Sequence, residues 1–498
     1  YHFQSQKNNY QLRIIMKENW MQKYQDILSD RGLIGLDLET TGLNRNIEYE
    51  RPTSAAILEA NDDINQPDVI INNMCRLPPH VLPDAGALEI TNINPMKLMN
   101  EELSLFELTK IIANYLIENS QKIIATYNGA SYDLIILRHT FFSSLYNPYL
   151  LSNGLEDRIH IDLYKVVQAI YCFAERSIDF HTDVTGKISL KQSLLAEANG
   201  IDPGDAHSAI DDVKVLLKLG NLFKEKAPEI FYSAIGSGTK KRAIKQMTSQ
   251  LFFNYGEVKY KDRTAVGRTP TFICEDPSYS NNMVHFDLAY DPEDYLYMTA
   301  EEIAPLINKK NSPFFNIKAN ASPVILHPSL CEKNNLTTEK ATERATKVQE
   351  SNGFKNNIVV ACDINSKKRS PWETSVYSES QIYSQFIDKG DRLLSDAFLK
   401  DHDLEQRMEI MQQMNDPRLI DFSKRIIAME HNNCDHKIRM NFQEFEAQRL
   451  LSEDDVPWRT LQDAWASLEK VENAGKENIA VMEATRKYYT LIEKGVNS

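Results

Sequence analysis

The run Leu33-Ile34-Gly35-Leu36-Asp37-Leu38-Glu39-Thr40-Thr41-Gly42 constrains this chain more than any other segment. A continuous apolar stretch closed by a turn signal reads as a strand buried on both faces, which requires helices on either side of it. Side chains two apart on a strand share a face, so Asp37 and Glu39 project together while Leu38 points into packing. Two carboxylates at that spacing can share a hard divalent cation. The other reading is a solvated surface pair.

The neighbouring pattern predicts a layered α/β domain. Strand-like runs at Leu33–Leu38, Ala55–Leu58, Val69–Ile71 and Lys122–Thr126 alternate with helical spacing at Leu103–Ile117, Leu134–Leu145, Ile161–Phe173 and Asp212–Phe223. The Ser/Gly-rich stretch Ser233–Thr239 then reads as a linker leading into the basic cluster Lys240, Lys241, Arg242 and Lys245. From Leu251 to Ala361 short β pieces follow, among them Pro270–Cys274, Met283–Leu288 and Phe314–Lys318, which predict a small barrel or half-open sheet. Beyond Pro371 the spacing is helical to the end of the chain. The expected units are an extension over 1–30 with a helix at Met16–Ser29, an α/β domain over 31–236, a β-rich domain over 245–365 and an all-α domain over 372–498. Residues 1–15 read as a leader of no structural importance.

Composition narrows the class. The 498 residues suit about two to four domains, and the net charge of −14 argues against a protein that coats nucleic acid through Lys and Arg. It does not exclude a nuclease, which clusters carboxylates for cations and can confine its basic residues to one groove. No apolar run reaches the roughly 18–20 residues of a membrane span, and no charged-then-apolar leader is evident, so a soluble intracellular protein is expected. Six cysteines lie far apart with no C-x-x-C pair, so all are expected to be reduced and free of zinc.

Two further segments supply acids. In Ala125-Thr126-Tyr127-Asn128-Gly129-Ala130-Ser131-Tyr132-Asp133 an apolar strand ends in a turn, with Ser131 expected as the N-cap of a helix and Asp133 in its first turn. Asp133 there either complements the helix dipole or aims a third carboxylate at the same cation site. In Gly204-Asp205-Ala206-His207-Ser208-Ala209-Ile210-Asp211-Asp212, residues five apart on one helix would lie roughly 140° apart. Ser208 with Asp211 resembles a capping box, which would start the helix there, leave His207 in the preceding loop and give Asp211 a structural role. Asp212 becomes a ligand candidate, and His207 is either a solvated loop residue or poised over the site.

The order Asp-x-Glu at a strand end, Asp after Asn and an aromatic, then His-x-x-x-x-Asp at a helix entrance resembles the DEDDh exonucleases of the DnaQ-like, RNase H-like fold. Further stretches resemble the bacterial exonuclease I family: Pro83–Pro95, Tyr146–Leu150, Leu190–Asp202, Lys240–Arg242, Val284–Ala289, Ser322–Ile325 and Phe422–Ile426. The resemblance covers roughly residues 30–490, is densest before Ser237, and departs where Glu430–Cys434 stands in place of an arginine-rich run. It implies an α/β exonuclease domain, an SH3-like β-rich domain and a helical extension closing a channel. It also implies 3′-to-5′ hydrolysis of single-stranded DNA, with Asp37, Glu39, Asp133 and Asp212 as ligands of two Mg²⁺ ions, Mn²⁺ as a substitute, and His207 as the base. The partner implied is the acidic tail of single-strand DNA-binding protein, and a cytoplasmic, nucleoid-associated monomer is expected.

Selection of single strands calls for a basic track with aromatic faces. The candidates are Lys240, Lys241, Arg242, Lys245 and Arg138, with Lys259, Lys261 and Arg263 on the β-rich domain; solvated surface charge is the other reading for each. Glu39, Tyr127 and Tyr132 are candidates to meet the terminal nucleotides, with core packing the alternative for both tyrosines. Competing functions are an RNA-trimming or proofreading exonuclease on the same fold, and a catalytically silent DNA-binding protein.

Overall fold

The computed structural model describes residues 20–42, 46–61, 66–151, 157–204, 208–259, 263–334, 336–368, 375–400, 403–475 and 478–496. Its first sheet has five strands, β1 (Leu33–Thr40), β2 (Pro52–Glu59), β3 (Asp68–Met74), β4 (Ile123–Thr126) and β5 (His160–Asp162), in the order β3-β2-β1-β4-β5. β2 runs antiparallel to both β1 and β3, while β4 runs parallel to both β1 and β5. β5 was not expected from the sequence. Three residues are too short to show a period, and Ile161 reads equally well as the first turn of the helix Leu163–Phe173.

Strand alternation splits the core into two layers. Ile34, Leu36, Leu38, Ile57 and Ile124 pack on one side with the helices Leu105–Glu118 and Asp133–Ser143. Leu33, Leu58, Ile123 and Ala125 pack on the other with the helices Leu163–Phe173, Ala209–Lys226 and Pro228–Ser237. The second side is the one that matters for chemistry, because Gly35, Asp37 and Glu39 share it with Leu33. A Cβ on Gly35 would lie 2.6 Å from Val213 Cγ1, so the helix Ala209–Lys226 presses directly on β1 there.

The Ser233–Thr239 stretch is not a linker. Ser233 to Ser237 form the buried end of the helix Pro228–Ser237, and the next helix, Lys240–Ser249, starts after Gly238 and the N-cap Thr239. Small residues serve close approach here: a Cβ on Gly238 would meet Ile159 Cγ2 at 2.6 Å, and one on Gly236 the Tyr24 ring at 2.7 Å. Residues 20–31 are helical and cover this layer with Trp20, Met21, Tyr24, Ile27 and Leu28, so the later part of the expected Met16–Ser29 helix has a packing role. Residues 1–19 lie outside the described residues.

The middle of the chain carries a two-stranded ribbon, β6 (Tyr255–Val258) with β7 (Ala265–Arg268), and a three-stranded antiparallel sheet of β8 (Pro270–Asp276), β9 (Tyr279–Asp287) and β10 (Phe314–Lys318). Two helices within the expected β-rich stretch, Thr338–Glu350 and Asn352–Lys367, cover that sheet through Ala341, Ala345, Val348, Phe354 and Ile358. Asp294–Met298 and Pro323–Leu326 form no strand, apart from the Leu326 bridge to Asn254. The five cysteines whose side chains are described are unbridged.

The helices of the C-terminal quarter return to the first domain in two places. Leu419, Phe422, Ile426 and Phe442 join the core under β1, and Leu461, Ala464, Leu468, Met482 and Tyr489 pack on Leu82, Ala85 and Leu88. The first seam contains a buried charge knot in which Glu379 accepts from Arg425 and Arg449, with Arg449 stacked 3.8 Å from the Trp458 ring centre. Burial alone would raise the Glu379 pKa, but Arg449 and Arg425 hold it at about 2. A depressed carboxylate pKa gives stability that is complete above the unfolded value and is lost as pH falls from about 4.5 toward 2. Glu379→Gln should therefore cost about 3–5 kcal/mol near pH 7, by stranding buried arginines, and should flatten the acid limb of the stability curve, as urea titrations between pH 7 and 3 would show.

Candidate active site

The strand places Asp37 and Glu39 on one face at the end of β1, opposite Ala56 and Ser54 of β2, whose small side chains leave room above them. The β1–β2 register shifts between Glu39 and Thr40, a bulge of the kind that re-aims a side chain at a strand end. Asp212 enters from the helix Ala209–Lys226, next to the Val213 that presses on Gly35. Carboxylate oxygens of Asp37, Glu39 and Asp212 come within 4.8 Å of one another, a spacing that fits a divalent cation.

Asp133 opens the helix Asp133–Ser143, but Ser131 is not its N-cap. Asn128 adopts a left-handed conformation at φ 64°, a 3-10 turn follows over Gly129–Ser131, and Tyr132 takes the cap position without a side-chain bond. The turn is held by Asp162 at the end of β5, whose carboxylate accepts from Asn128 N at 2.8 Å and Ala130 N at 3.3 Å. The same carboxylate caps the next helix through Tyr164 N at 3.1 Å. Asp162 was not singled out from the sequence, though an Asp directly before a helical run is an N-cap signal.

Ser208 is the N-cap residue of the Asp212 helix, so the helix begins where the sequence placed it. The capping box does not form: Ser208 makes no side-chain cap bond, and Asp211 pairs instead with Lys214 at 2.8 Å. Asp212 keeps its orientation partly through Gln192, which donates to its carbonyl at 2.6 Å. His207 lies outside the described residues.

Together these side chains line an open pocket of about 320 Å³, walled by Tyr127 and Tyr132. Its electrostatics are one-sided. Burial first, then Asp133, Asp212 and Glu39, push the Asp37 carboxyl well above its usual range. Burial and the neighbouring acids push Glu39 up to about 8. Asp133 is raised to about 7, mainly by burial and then by Asp162 and Asp212, against the hydrogen bonds of nearby backbone amides. Among the described residues no basic side chain lines the pocket. Like charges gathered in a partly dry pocket without a counter-charge fit bound divalent cations and little else.

Of the other candidates the two tyrosines belong to this pocket, and the described basic ones do not line it. Tyr127 is fixed by donating to the Leu190 carbonyl and by edge contact with Tyr164 at 5.7 Å, while Tyr132 donates to the Gly42 carbonyl at 2.7 Å. Arg138 donates to Tyr383 Oη at 2.9 Å and lies 5.9 Å from the Tyr149 ring centre, at the seam with the C-terminal region. Lys241, Arg242 and Lys245 line a second cavity of about 650 Å³ with Lys23 and Tyr24, and Lys240 opens the same helix. Arg242 and Arg31 share Asp157, at the start of β1. Asp37 lies four residues beyond Leu33, where β1 begins, about 13 Å along the strand, so the basic cluster sits at the opposite end of the strand from the acids. Arg263 pairs with Asp183 at 3.2 Å, Lys259 continues β6, and Lys261 lies outside the described residues.

A family model described as Exonuclease matches residues 34–219, the segment that holds all four acids. Exodeoxyribonuclease I of Haemophilus influenzae is 25% identical over 72% of this chain and 77% of its own length. The Escherichia coli enzyme of that name is 28% identical over 39% of this chain and 40% of its own. The fold matches exonuclease I from Methylocaldum szegediense over 93% of this chain and 99% of that one, with TM-score 0.76 and 19% identity. It also matches E. coli exonuclease I in complex with a dA16 oligonucleotide over 92% and 99%, with TM-score 0.75 and 20% identity. A matched exonuclease domain, relatives named exodeoxyribonuclease I and a shared fold along nearly the whole chain mark this protein as an exonuclease similar to the bacterial exonuclease I enzymes.

Proposed function

We propose that this chain is a 3′-to-5′ exodeoxyribonuclease that degrades single-stranded DNA to 5′-mononucleotides in DNA repair and recombination. The observation that carries the reading is the convergence of Asp37, Glu39, Asp133 and Asp212 on one pocket that no basic side chain among the described residues balances. The oligonucleotide bound to the structurally similar E. coli exonuclease I supports the substrate class.

Two Mg²⁺ ions, with Mn²⁺ as a substitute, are the cations proposed for the pocket, where Asp37, Glu39, Asp133 and Asp212 would hold them. When bound, such ions activate a water and offset the charge that builds on the leaving 3′ oxygen. The chain's own residues do the rest. His207 directly precedes the N-cap Ser208 of the helix that carries Asp212, which suits it to take the proton of the attacking water. Tyr127 and Tyr132 wall the pocket as rigid rings, fixed through their hydroxyls, against which a terminal nucleotide can rest. Glu39 and Asp133 must lose protons before they can hold a cation, so low pH and low Mg²⁺ reinforce each other.

The proposed units are an extension over 1–30, the exonuclease unit over 31–236, a β-rich unit over 245–365 and a helical unit over 372–498. The proposed partner is single-strand DNA-binding protein, supported by the similar fold, TM-score 0.73, of SSB/exonuclease I in complex with an inhibitor. The proposed setting is a cytoplasmic monomer; among the described residues no helix is long and apolar enough to cross a membrane.

Digestion of 5′-labelled single-stranded DNA, duplex DNA and RNA of one sequence, with Mg²⁺ and with EDTA, tests the reading. Stepwise, Mg²⁺-dependent shortening of the single-stranded DNA alone is expected. Asp37→Ala, Asp212→Ala and His207→Ala should each lower it by about two to four orders of magnitude while leaving the circular dichroism spectrum unchanged. Preferential shortening of RNA would overturn the substrate, and near-normal turnover in any of the three variants would overturn that residue's role. With Mg²⁺ below saturation, turnover should fall between pH 8 and 6 and recover on adding Mg²⁺, because protons and cations compete for Glu39, at about 8, and Asp133, at about 7.

A further inference from the structure

We propose that Arg459, supplied by the C-terminal helical region, is a positioning residue for the carboxylate pocket, fixing the end of β1 and the turn that presents Asp133. The proposal rests on the exonuclease reading of that pocket and adds a residue more than 400 positions away in sequence from Asp37.

The turn after β1 keeps little of the β1–β2 ladder: Thr41 N donates to the Arg51 carbonyl at 2.9 Å, and Arg51 N turns to the Thr41 hydroxyl at 2.9 Å. Its register has slipped at Glu39/Thr40, and Thr41 and Gly42 follow directly. A bulge disrupts the ladder locally and leaves a residue unpaired, so its position is set by whatever else contacts it. Arg459 is one such group. Its side chain is only 7% exposed, and it donates from Nη1 to the carbonyls of Leu82 at 2.8 Å and Thr41 at 3.3 Å. From Nη2 it donates to Glu50 Oε1 at 3.1 Å, and Asp84 Oδ2 stands 3.5 Å from its Nε. Glu50 in turn accepts from the Thr41 hydroxyl at 2.5 Å, and Asp84 N donates to the Thr41 carbonyl at 2.6 Å. One guanidinium fork thus fixes the backbone and, through Glu50, the side chain of Thr41, two residues beyond Glu39.

The fork also reaches the other acid-bearing segment. Gly42 packs directly on Arg459: a Cβ there would lie 2.8 Å from Nη2. The Gly42 carbonyl accepts from Tyr132 Oη at 2.7 Å, and Tyr132 directly precedes Asp133. Arg459, Gly42 and Tyr132 form a physical path from the C-terminal helices to both halves of the pocket. A lysine cannot substitute, because one ammonium cannot span two carbonyls and a carboxylate in this planar arrangement.

The test uses the full chain and single-stranded DNA, with Arg459→Ala, Arg459→Lys and Asp37→Asn side by side. In Arg459→Ala, kcat should fall about 10- to 100-fold with KM for a long strand little changed, since misplaced ligands slow chemistry more than they weaken a long binding path. Mn²⁺ affinity measured by calorimetry without DNA should fall about tenfold. Added guanidinium, below denaturing concentrations, should restore part of the lost turnover in Arg459→Ala and none in Asp37→Asn. Should Arg459→Ala fail to fold, Arg459→Lys decides by the same kcat and Mn²⁺ measurements. A folded variant with wild-type kcat and Mn²⁺ affinity, or with a change confined to KM, overturns the proposal. If Asp37→Asn is itself fully active, it is the reading of the pocket that fails instead.

Discussion

Carboxylates repel one another, and they do so most where water is scarce. Asp37, Glu39, Asp133 and Asp212 are gathered in a pocket that leaves Glu39 and Asp133 almost wholly buried, and each raised pKa measures the cost of holding them there as anions. A surface loop would splay such a group apart. Here the sites of attachment are rigid: a central strand, a helix wedged on that strand at Gly35, and a helix start clamped by Asp162. The sheet supplies stiffness, and placement at the ends of parallel strands supplies convergence, since β1 and β4 run the same way and both end at the pocket.

Rigid attachment also explains why the chain doubles back. The C-terminal helices contribute Leu419, Phe422 and Ile426 to the core beneath β1 and a second cluster against Leu82, Ala85 and Leu88. Both seams set arginines on buried carboxylates, Arg425 and Arg449 on Glu379 and Arg459 on Glu50. Apolar pairs of similar volume would be at least as stabilising as such bridges. Arginine forks give direction instead, and direction is what a pocket built from mutually repelling groups requires.

The parts of this architecture that announce themselves in sequence are those with a local period or a local cap. β1, β4 and the helix Ala209–Lys226 follow from apolar spacing and from the turn residues that bound them, and the four acids were singled out at the ends of such segments. What sequence could not show is set by tertiary contact. The three residues of β5 take strand form because β4 lies beside them. Ser233–Thr239 looks like a linker because its residues are small, and they are small because Tyr24, Gln246 and Ile159 pack against their backbone. Asp162 and Arg459 act on the pocket through backbone groups far away in sequence, which leaves no spacing signal. The Ser131 cap and the Ser208/Asp211 capping box did not form for a related reason: each side chain had a local partner within reach, and the backbone amides bond to backbone carbonyls instead, Ser131 N to Asn128 and Asp211 N to Ser208.

The basic residues show the same limit from the other side. A cluster such as Lys240–Lys245 stands out in a chain with 70 acidic against 56 basic residues, and it invites assignment to the substrate. The fold places it beside Asp157 and the helix at 20–31, at the end of β1 away from the acids. Several other arginines are committed internally, Arg425 and Arg449 to Glu379 and Arg459 to the turn after β1. Around the acids the pocket offers tyrosine rings and, among the described residues, no lysine, so a phosphate among four carboxylates would depend there on cations brought in from solution. Charge counted along the sequence measures neither fact, because it records how many cations a chain carries and not which of them are already in use.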